Sequence, residues 1–298
     1  MSEIHTLAVI GAGTMGAGIA QVGAAAGYNV IVNDVQEAFL ERARKTIAGS
    51  FDKFVQKQKM SEADRQAALD RLTFTTRLED VAQADLVVEA IIEQIGAKVE
   101  LFGRLESLCK PSTLFASNTS SLSVTEMSRA CARPQQVAGM HFFNPVPLMK
   151  LVEVIRTPLT SPETFQAIWQ VALKMGKSPV ETRDTPGFIF NRLIIPYLNE
   201  AMWALYEGAG TVKDIDSAMV LGGNMPIGPL GLLDMIGLDV QLHACQALFE
   251  QFGDPKFRPC PLNRALVRAG LLGRKSGKGF YDYAQDPPRP LAMDPFRL

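Results

Sequence analysis

The sequence predicts an α/β domain with a mostly parallel sheet, followed by an all-helical C-terminal domain. Three observations predict it. Short, continuous apolar runs alternate with helix-favouring segments through the first half, the pattern of strands buried on both faces of a parallel sheet. The motif Gly11-Ala12-Gly13-Thr14-Met15-Gly16 joins the first such run to the first helix. Beyond Asp184-Thr185-Pro186-Gly187 the alternation stops and helical segments take over. A boundary is therefore expected near Thr185, dividing the chain into 1–184 and 185–298.

Taken in order, Leu7 to Ile10 is a buried strand, and Thr14 to Gly27 is a helix of small residues. A second strand, Val30-Ile31-Val32, ends at Asn33-Asp34. Between Gln36 and Arg71 lies a charged, helix-favouring insertion, with a fresh helix start at Ser61-Glu62. Leu86 to Ile92 reads as another buried strand, followed by a helix near Lys98 to Leu108 and a strand at Leu114-Phe115-Ala116. Two more strand-like runs lie within Val137 to Ile155, separated by Asn144-Pro145-Val146-Pro147, which continues neither strand nor helix. Phe188 to Tyr206 is a long apolar helix in which Pro196 predicts a kink. So apolar a helix needs covering on more than one side, which favours self-association through this region. The proline-rich tail from Asp286 to Leu298 is expected to be poorly ordered.

The glycine motif has the form G-x-G-x-x-G after a strand and before a helix, which predicts a Rossmann-type dinucleotide site. Gly11 permits the tight turn, Gly13 lets the backbone approach a pyrophosphate, and Gly16 lets the helix pack on the sheet. Thr14 and Met15 open that helix, whose amino terminus offers N–H groups and positive potential to phosphate. Asp34, ending the second strand, is placed to accept from a ribose 2′-hydroxyl and would repel a 2′-phosphate, so NAD is expected rather than NADP.

Two further features carry chemistry. Glu153 lies in the apolar run Leu151 to Ile155, where an unpaired carboxylate costs several kcal/mol. His141, ending the preceding run, is its natural partner. A carboxylate on one ring nitrogen fixes the tautomer and strengthens the other nitrogen as a base. A surface glutamate beside an unrelated histidine is the competing reading. Ser117-Asn118-Thr119-Ser120-Ser121 follows a parallel strand, where ligand-binding loops lie. Ser120 or Ser121 would equally serve as a helix cap.

Composition narrows the function class. A net charge of −1 argues against a nucleic-acid binder. No apolar run approaches the roughly 18–20 residues that span a bilayer. Met1 to His5 leads straight into a strand with no basic region of a secretory signal. The four cysteines are scattered and the chain has three histidines, so no metal is expected. A cytoplasmic protein acting on a small molecule fits best.

With these motifs in order, from Val9 to about Tyr283, the chain resembles the L-3-hydroxyacyl-CoA dehydrogenase family, in its short single-function, 3-hydroxybutyryl-CoA type. The matching segments are Gly11 to Gly16, Ala116 to Leu122, His141-Phe-Phe-Asn-Pro145, Lys150-Leu-Val-Glu153 and Pro186-Gly-Phe-Ile-Phe-Asn-Arg192. The resemblance implies reversible NAD-dependent oxidation of (S)-3-hydroxyacyl-CoA to 3-oxoacyl-CoA. It implies that His141 is the catalytic base, that Glu153 orients it, and that Ser120 and Asn191 bond the reacting substrate. Asp34, Glu93, Lys98, Ser120, Asn144 and Lys275 fall where the family contacts NAD. Ser50, Lys57 and Ser120 fall where it contacts coenzyme A. Residues 36–60 carry six basic side chains (Arg42, Arg44, Lys45, Lys53, Lys57, Lys59) against three acidic ones (Glu37, Glu41, Asp52), a charge balance suited to coenzyme A phosphates. It further implies a homodimer formed through the C-terminal domain. Two alternatives stay open at this point. Relatives of this kind act on a free hydroxy acid such as L-gulonate or on carnitine, and some lens proteins of similar sequence are non-catalytic NAD binders.

Overall fold

The computed structural model describes residues 3–291. The chain divides into two compact units, Met1–Phe188 and Ile189–Leu298.

The first unit is built on eight strands. In chain order its elements are β1 (Thr6–Ile10), α1 (Thr14–Ala25), β2 (Asn29–Asn33), α2 (Glu37–Gln56), α3 (Glu62–Asp70), β3 (Leu72–Thr75) and β4 (Leu86–Glu89). There follow α4 (Ile95–Leu108), β5 (Leu114–Ser117), α5 (Val124–Ser128), β6 (Val137–Phe142), β7 (Leu151–Arg156), α6 (Pro162–Lys174) and β8 (Ser178–Arg183). The sheet order is β3-β2-β1-β4-β5-β6-β7-β8. Neighbours are parallel except β6 and β7, which run antiparallel.

Successive residues of β1 serve opposite faces, as strand geometry requires. Leu7 and Val9 join a core with Ile19, Ile47 and Phe51, while Ala8 and Ile10 join one with Phe102 and Leu105. Both faces are thus covered, which is why the central strands read as unbroken apolar runs. The edge strands β3 and β8 escape such a reading. Leu-Thr-Phe-Thr and Ser-Pro-Val-Glu-Thr-Arg are largely half-exposed or exposed, so they carry no apolar run to announce them.

The run from Leu86 to Ile92 is shorter as a strand than the sequence suggests. β4 ends at Glu89, whose carboxylate accepts from the Ile91 N–H at 2.7 Å, and Ile92 is exposed. The chain turns out of the sheet there and carries Glu93 into a loop. Residues 36–71 form α2 and α3, with Ser61 capping α3 by accepting from Asp64 N–H.

The second unit contains α7 (Phe190–Tyr206), α8 (Val212–Leu221), α9 (Pro229–Ile236), α10 (Leu238–Phe252) and α11 (Pro261–Arg268). Leu198, Met202, Leu230, Leu233, Leu266 and Phe280 form its core. Pro196 lies inside α7 without ending it. A short antiparallel ribbon adds to the helices, pairing β9 (Tyr281–Asp282) with β10 (Arg289–Pro290). It is tied down by Asp234, which accepts from the Phe280 and Tyr281 N–H groups at 2.9 Å each. Burial holds the Asp234 carboxyl above its usual range. The tail expected to be poorly ordered is therefore partly paired, at Arg289–Pro290, and its residues 292–298 lie outside the described ones.

Candidate active site

Parallel register brings four strand ends to one edge of the sheet. Ile10 pairs with Asn33 and with Glu89, and Glu89 pairs with Ser117. The loops that leave these ends carry the glycine motif, Asp34, Glu93 and the Ser117–Ser121 segment, as open α/β sheets place their ligand crevice. Ser117 is also level with Gly139, so His141 sits two residues further toward the same edge.

The glycine loop is shaped for a dinucleotide. Gly11 has φ +101°, and a side chain there would run into the Ala90 carbonyl. Gly13 is exposed, and a Cβ built on it meets nothing within 4 Å. No side chain caps α1 and no acid lies in its first turn, so no side chain competes with a pyrophosphate for the N–H groups of that turn. Asp34 is half-buried beside it, accepting from the Ala12 N–H at 2.8 Å and the Gln36 N–H at 3.0 Å. These residues fit NAD.

A buried charge network lies beneath the next two loops. Lys98 is 1% exposed, and its ammonium lies 2.5 Å from Glu89 and 3.2 Å from Glu93. Glu89, 0% exposed, also accepts from Ser117 Oγ at 2.6 Å. Glu93 accepts from Thr119 Oγ1 at 2.6 Å and from the Ser120 N–H at 2.8 Å. Burial alone would raise the Glu93 carboxyl, but Lys98 and these donors outweigh it and hold it below the usual range. The network sets the position of Ser120. Glu89 was missed by sequence reasoning, yet it carried a signal: a carboxylate inside Leu86-Val87-Val88-Glu89-Ala90-Ile91-Ile92, the same signal that singled out Glu153. Neither Ser120 nor Ser121 caps the following helix. Ser123 does, accepting from the Glu126 N–H and donating to Asp184.

His141 and Glu153 face each other directly across the antiparallel pair β6–β7. His141 Nδ1 is 2.8 Å from Glu153 Oε2, with His141 6% and Glu153 0% exposed. The Phe143 and Phe188 rings lie 4.5 and 5.7 Å from the imidazole, centroid to centroid. Asn118 Oδ1 accepts from the Phe142 N–H at 2.9 Å, tying the serine loop to the histidine strand. Nδ1 is thus engaged by the carboxylate, and Nε2 is the ring nitrogen left for a substrate proton.

The remaining expected site residues are more dispersed. Asn144 is exposed at the end of β6, ahead of a cis bond to Pro145. Ser50 accepts from Gln21 Nε2 at 2.8 Å, and the exposed Lys57 follows seven residues on, just past the end of α2. Asn191 and Lys275 belong to the second unit, where Lys275 pairs with Asp239 at 2.5 Å. Among the described residues, no group of three or more His, Cys, Asp or Glu is arranged to hold a metal.

Comparison with known proteins now decides the family. Residues 6–185 match the NAD-binding domain of 3-hydroxyacyl-CoA dehydrogenase, and residues 187–283 match that family's C-terminal domain. The chain belongs to the 3-hydroxyacyl-CoA dehydrogenase family. It is 50% identical to a probable 3-hydroxybutyryl-CoA dehydrogenase of Deinococcus radiodurans, over 92% of this chain and 99% of that one. It is 44% identical to the human mitochondrial hydroxyacyl-coenzyme A dehydrogenase, covering 94% and 91% of the two chains. The crystal structure of (S)-3-hydroxybutyryl-CoA dehydrogenase from Ralstonia eutropha superposes with a TM-score of 0.92 at 43% identity, covering 95% and 100%. As a member of this family the chain is an NAD-dependent oxidoreductase acting on 3-hydroxyacyl-CoA.

Proposed function

We propose that this enzyme oxidises (S)-3-hydroxybutyryl-CoA and similar short thioesters, with His141 as general base and Glu153 as the group that orients it. The observation that carries the reading is the buried 2.8 Å contact between His141 Nδ1 and Glu153. With Nδ1–H donating to the carboxylate, Nε2 removes the proton of the 3-hydroxyl. Glu153 then stabilises the imidazolium, and the same proton is returned to the 3-keto oxygen in the reductive direction. Bound NAD supplies the hydride acceptor for the C3 hydrogen. Ser120, held by Glu93, and Asn191 position the reacting oxygen and the thioester.

Asp34 takes the ribose hydroxyls, and Gly11, Gly13, Thr14, Met15 and Gly16 cradle the pyrophosphate. Glu93, Asn144 and Lys275 complete the cofactor contacts, with Lys98 acting through Glu93. Ser50 in α2 and Lys57 just past its end receive coenzyme A. The short-chain preference draws on relatives named as a probable 3-hydroxybutyryl-CoA dehydrogenase in Bacillus subtilis and a 3-hydroxybutyryl-CoA dehydrogenase in Clostridioides difficile.

Homodimerisation through the C-terminal unit is supported by its exposed apolar side chains, Leu193, Leu221, Met235 and Val240 among them. Four buried thiols, none in a disulfide, suit a cytoplasmic location. No helix among the described residues is long and apolar enough to cross a membrane.

The test is NADH consumption with acetoacetyl-CoA, with kcat/KM measured across acyl lengths and on 3-hydroxyadipyl-CoA. His141→Gln should lower kcat by about 10²–10⁴-fold with circular dichroism unchanged. Turnover within tenfold of wild type in that variant overturns the assignment. A rise in kcat/KM with chain length overturns the short-chain preference.

A further inference from the structure

The eight residues 143–150 connect the strand of His141 to the strand of Glu153 and include Asn144, so their path bears on both the dyad and the cofactor contact. Connections between antiparallel strands are commonly two to five residues. A longer one needs external anchors. Two are conventional. Val146 is 2% exposed and packs on α1 at Gly18, where a Cβ would approach the Val146 Cβ to 2.7 Å. At the far foot of the loop, the Ser178 N–H donates to the Lys150 carbonyl at 2.7 Å.

The third anchor is unusual. Lys177, between α6 and β8, is 6% exposed, and its ammonium donates to the Val146 carbonyl at 2.5 Å and the Met149 carbonyl at 2.9 Å. Burial lowers its pKa. A methionine would fill the same space without the cost of taking an ammonium out of water. What the lysine adds is two directed, charge-assisted donors aimed at the middle of this loop.

We propose that Lys177 is a positioning residue for the dehydrogenase reaction, clamping the loop that carries the chain from His141 to Glu153. It acts through the backbone: with Val146 and Met149 held, Asn144 and both strand ends keep one register. The proposal rests on the reading of His141 and Asn144 given above.

The experiment uses Lys177→Met and Lys177→Gln in the full-length enzyme. For each, kcat, KM for acetoacetyl-CoA, Tm and the deuterium isotope effect with 4-deuterated NADH are measured. Misplacement on the scale of 1 Å costs on the order of 100-fold, so Lys177→Met should lower kcat by about 10–100-fold with KM little changed. The isotope effect should rise as hydride transfer becomes slower than product release. Lys177→Gln, which keeps one donor, should fall between Lys177→Met and wild type. The proposal is overturned if folded Lys177→Met keeps kcat within twofold of wild type, if Lys177→Gln loses more than Lys177→Met, or if kcat falls with no change in isotope effect. It is also overturned if neither variant folds, because the residue is then structural. If Lys177→Met does not fold, Lys177→Gln decides the matter. His141→Gln run in parallel keeps the two readings apart, since its inactivity tests the dyad and not the clamp.

Discussion

Glu89 offers the sharpest test of how this site is held together. Its carboxylate is fully buried and faces an equally buried Lys98 at 2.5 Å, with Ile91 N–H and Ser117 Oγ as further donors. Glu89→Gln removes the charge while keeping the shape. One amide oxygen can still accept from Lys98 and Ile91, but the ammonium then relies on Glu93, which is 3.2 Å away and 38% exposed. Breaking a buried pair by removing one partner costs about 3–5 kcal/mol, and the retained acceptor and Glu93 place the expected loss near the lower figure, about 3 kcal/mol. Lys98→Met should cost a similar amount. The double variant replaces both charges, so it should lose about 4 kcal/mol where independent effects would give about 6, a coupling energy of about 2 kcal/mol. Urea denaturation at pH 7 measures stability, and quenching of NADH fluorescence measures cofactor affinity. NADH binding should weaken in both single variants, because Ser117 and Glu93 lose their shared support. Losses that add to within about 0.5 kcal/mol would refute the coupled network. A Glu89→Gln protein with unchanged stability and NADH affinity would refute its role in the site altogether.

Gly13→Ala should fold with stability close to wild type, since a Cβ there meets nothing within 4 Å, but should bind NADH at least tenfold more weakly. Gly11→Ala, strained by φ +101° and by the Ala90 carbonyl, should instead lose thermal stability, a difference calorimetry reads directly. Asp34→Ala should weaken NADH binding by about 10–100-fold and narrow the preference over NADPH, as the loss of a charged hydrogen-bond partner is worth about 1.5–3 kcal/mol. Equal affinity before and after would remove Asp34 from the ribose site. Glu93 has a folded-state pKa below its ordinary value of 4.5, so its contribution to stability is present above that value and lost as pH falls through the depressed one. Glu93→Gln should accordingly flatten the acid limb of the stability profile below pH 4.5, and an unchanged limb would count against the network.

Much of the site was legible because its residues break local rules. Gly11 to Gly16 interrupts a strand-to-helix transition, and Glu153 interrupts an apolar strand with a charge. Such conflicts are visible without coordinates, since burial of the run is implied by its own composition. Glu89 breaks the same rule inside Leu86 to Ile92, with no histidine in a neighbouring run to mark it. The helix cap was harder. Ser120, Ser121 and Ser123 are interchangeable by composition, and the choice of Ser123 depends on Asp184, some sixty residues away, which also accepts from the Thr125 N–H at 2.7 Å. The edge strands β3 and β8 were invisible for a related reason: half-exposed strands carry mixed residues, and pairing alone gives them their conformation.

The sequence by itself determined the division into an α/β and a helical unit, the dinucleotide loop with its acidic partner, and a glutamate inside an apolar strand that needs a partner. Each follows from local chemistry: turn residues, apolar continuity and the cost of an unpaired charge. The tertiary structure alone decided which groups meet across the fold. Antiparallel register sets His141 opposite Glu153, parallel register aligns Glu89 with Ser117, and Lys177 reaches the Val146 carbonyl across thirty-one residues. These contacts depend on strand order and register, which arise from the packing of the whole sheet, and no short stretch of residues encodes them.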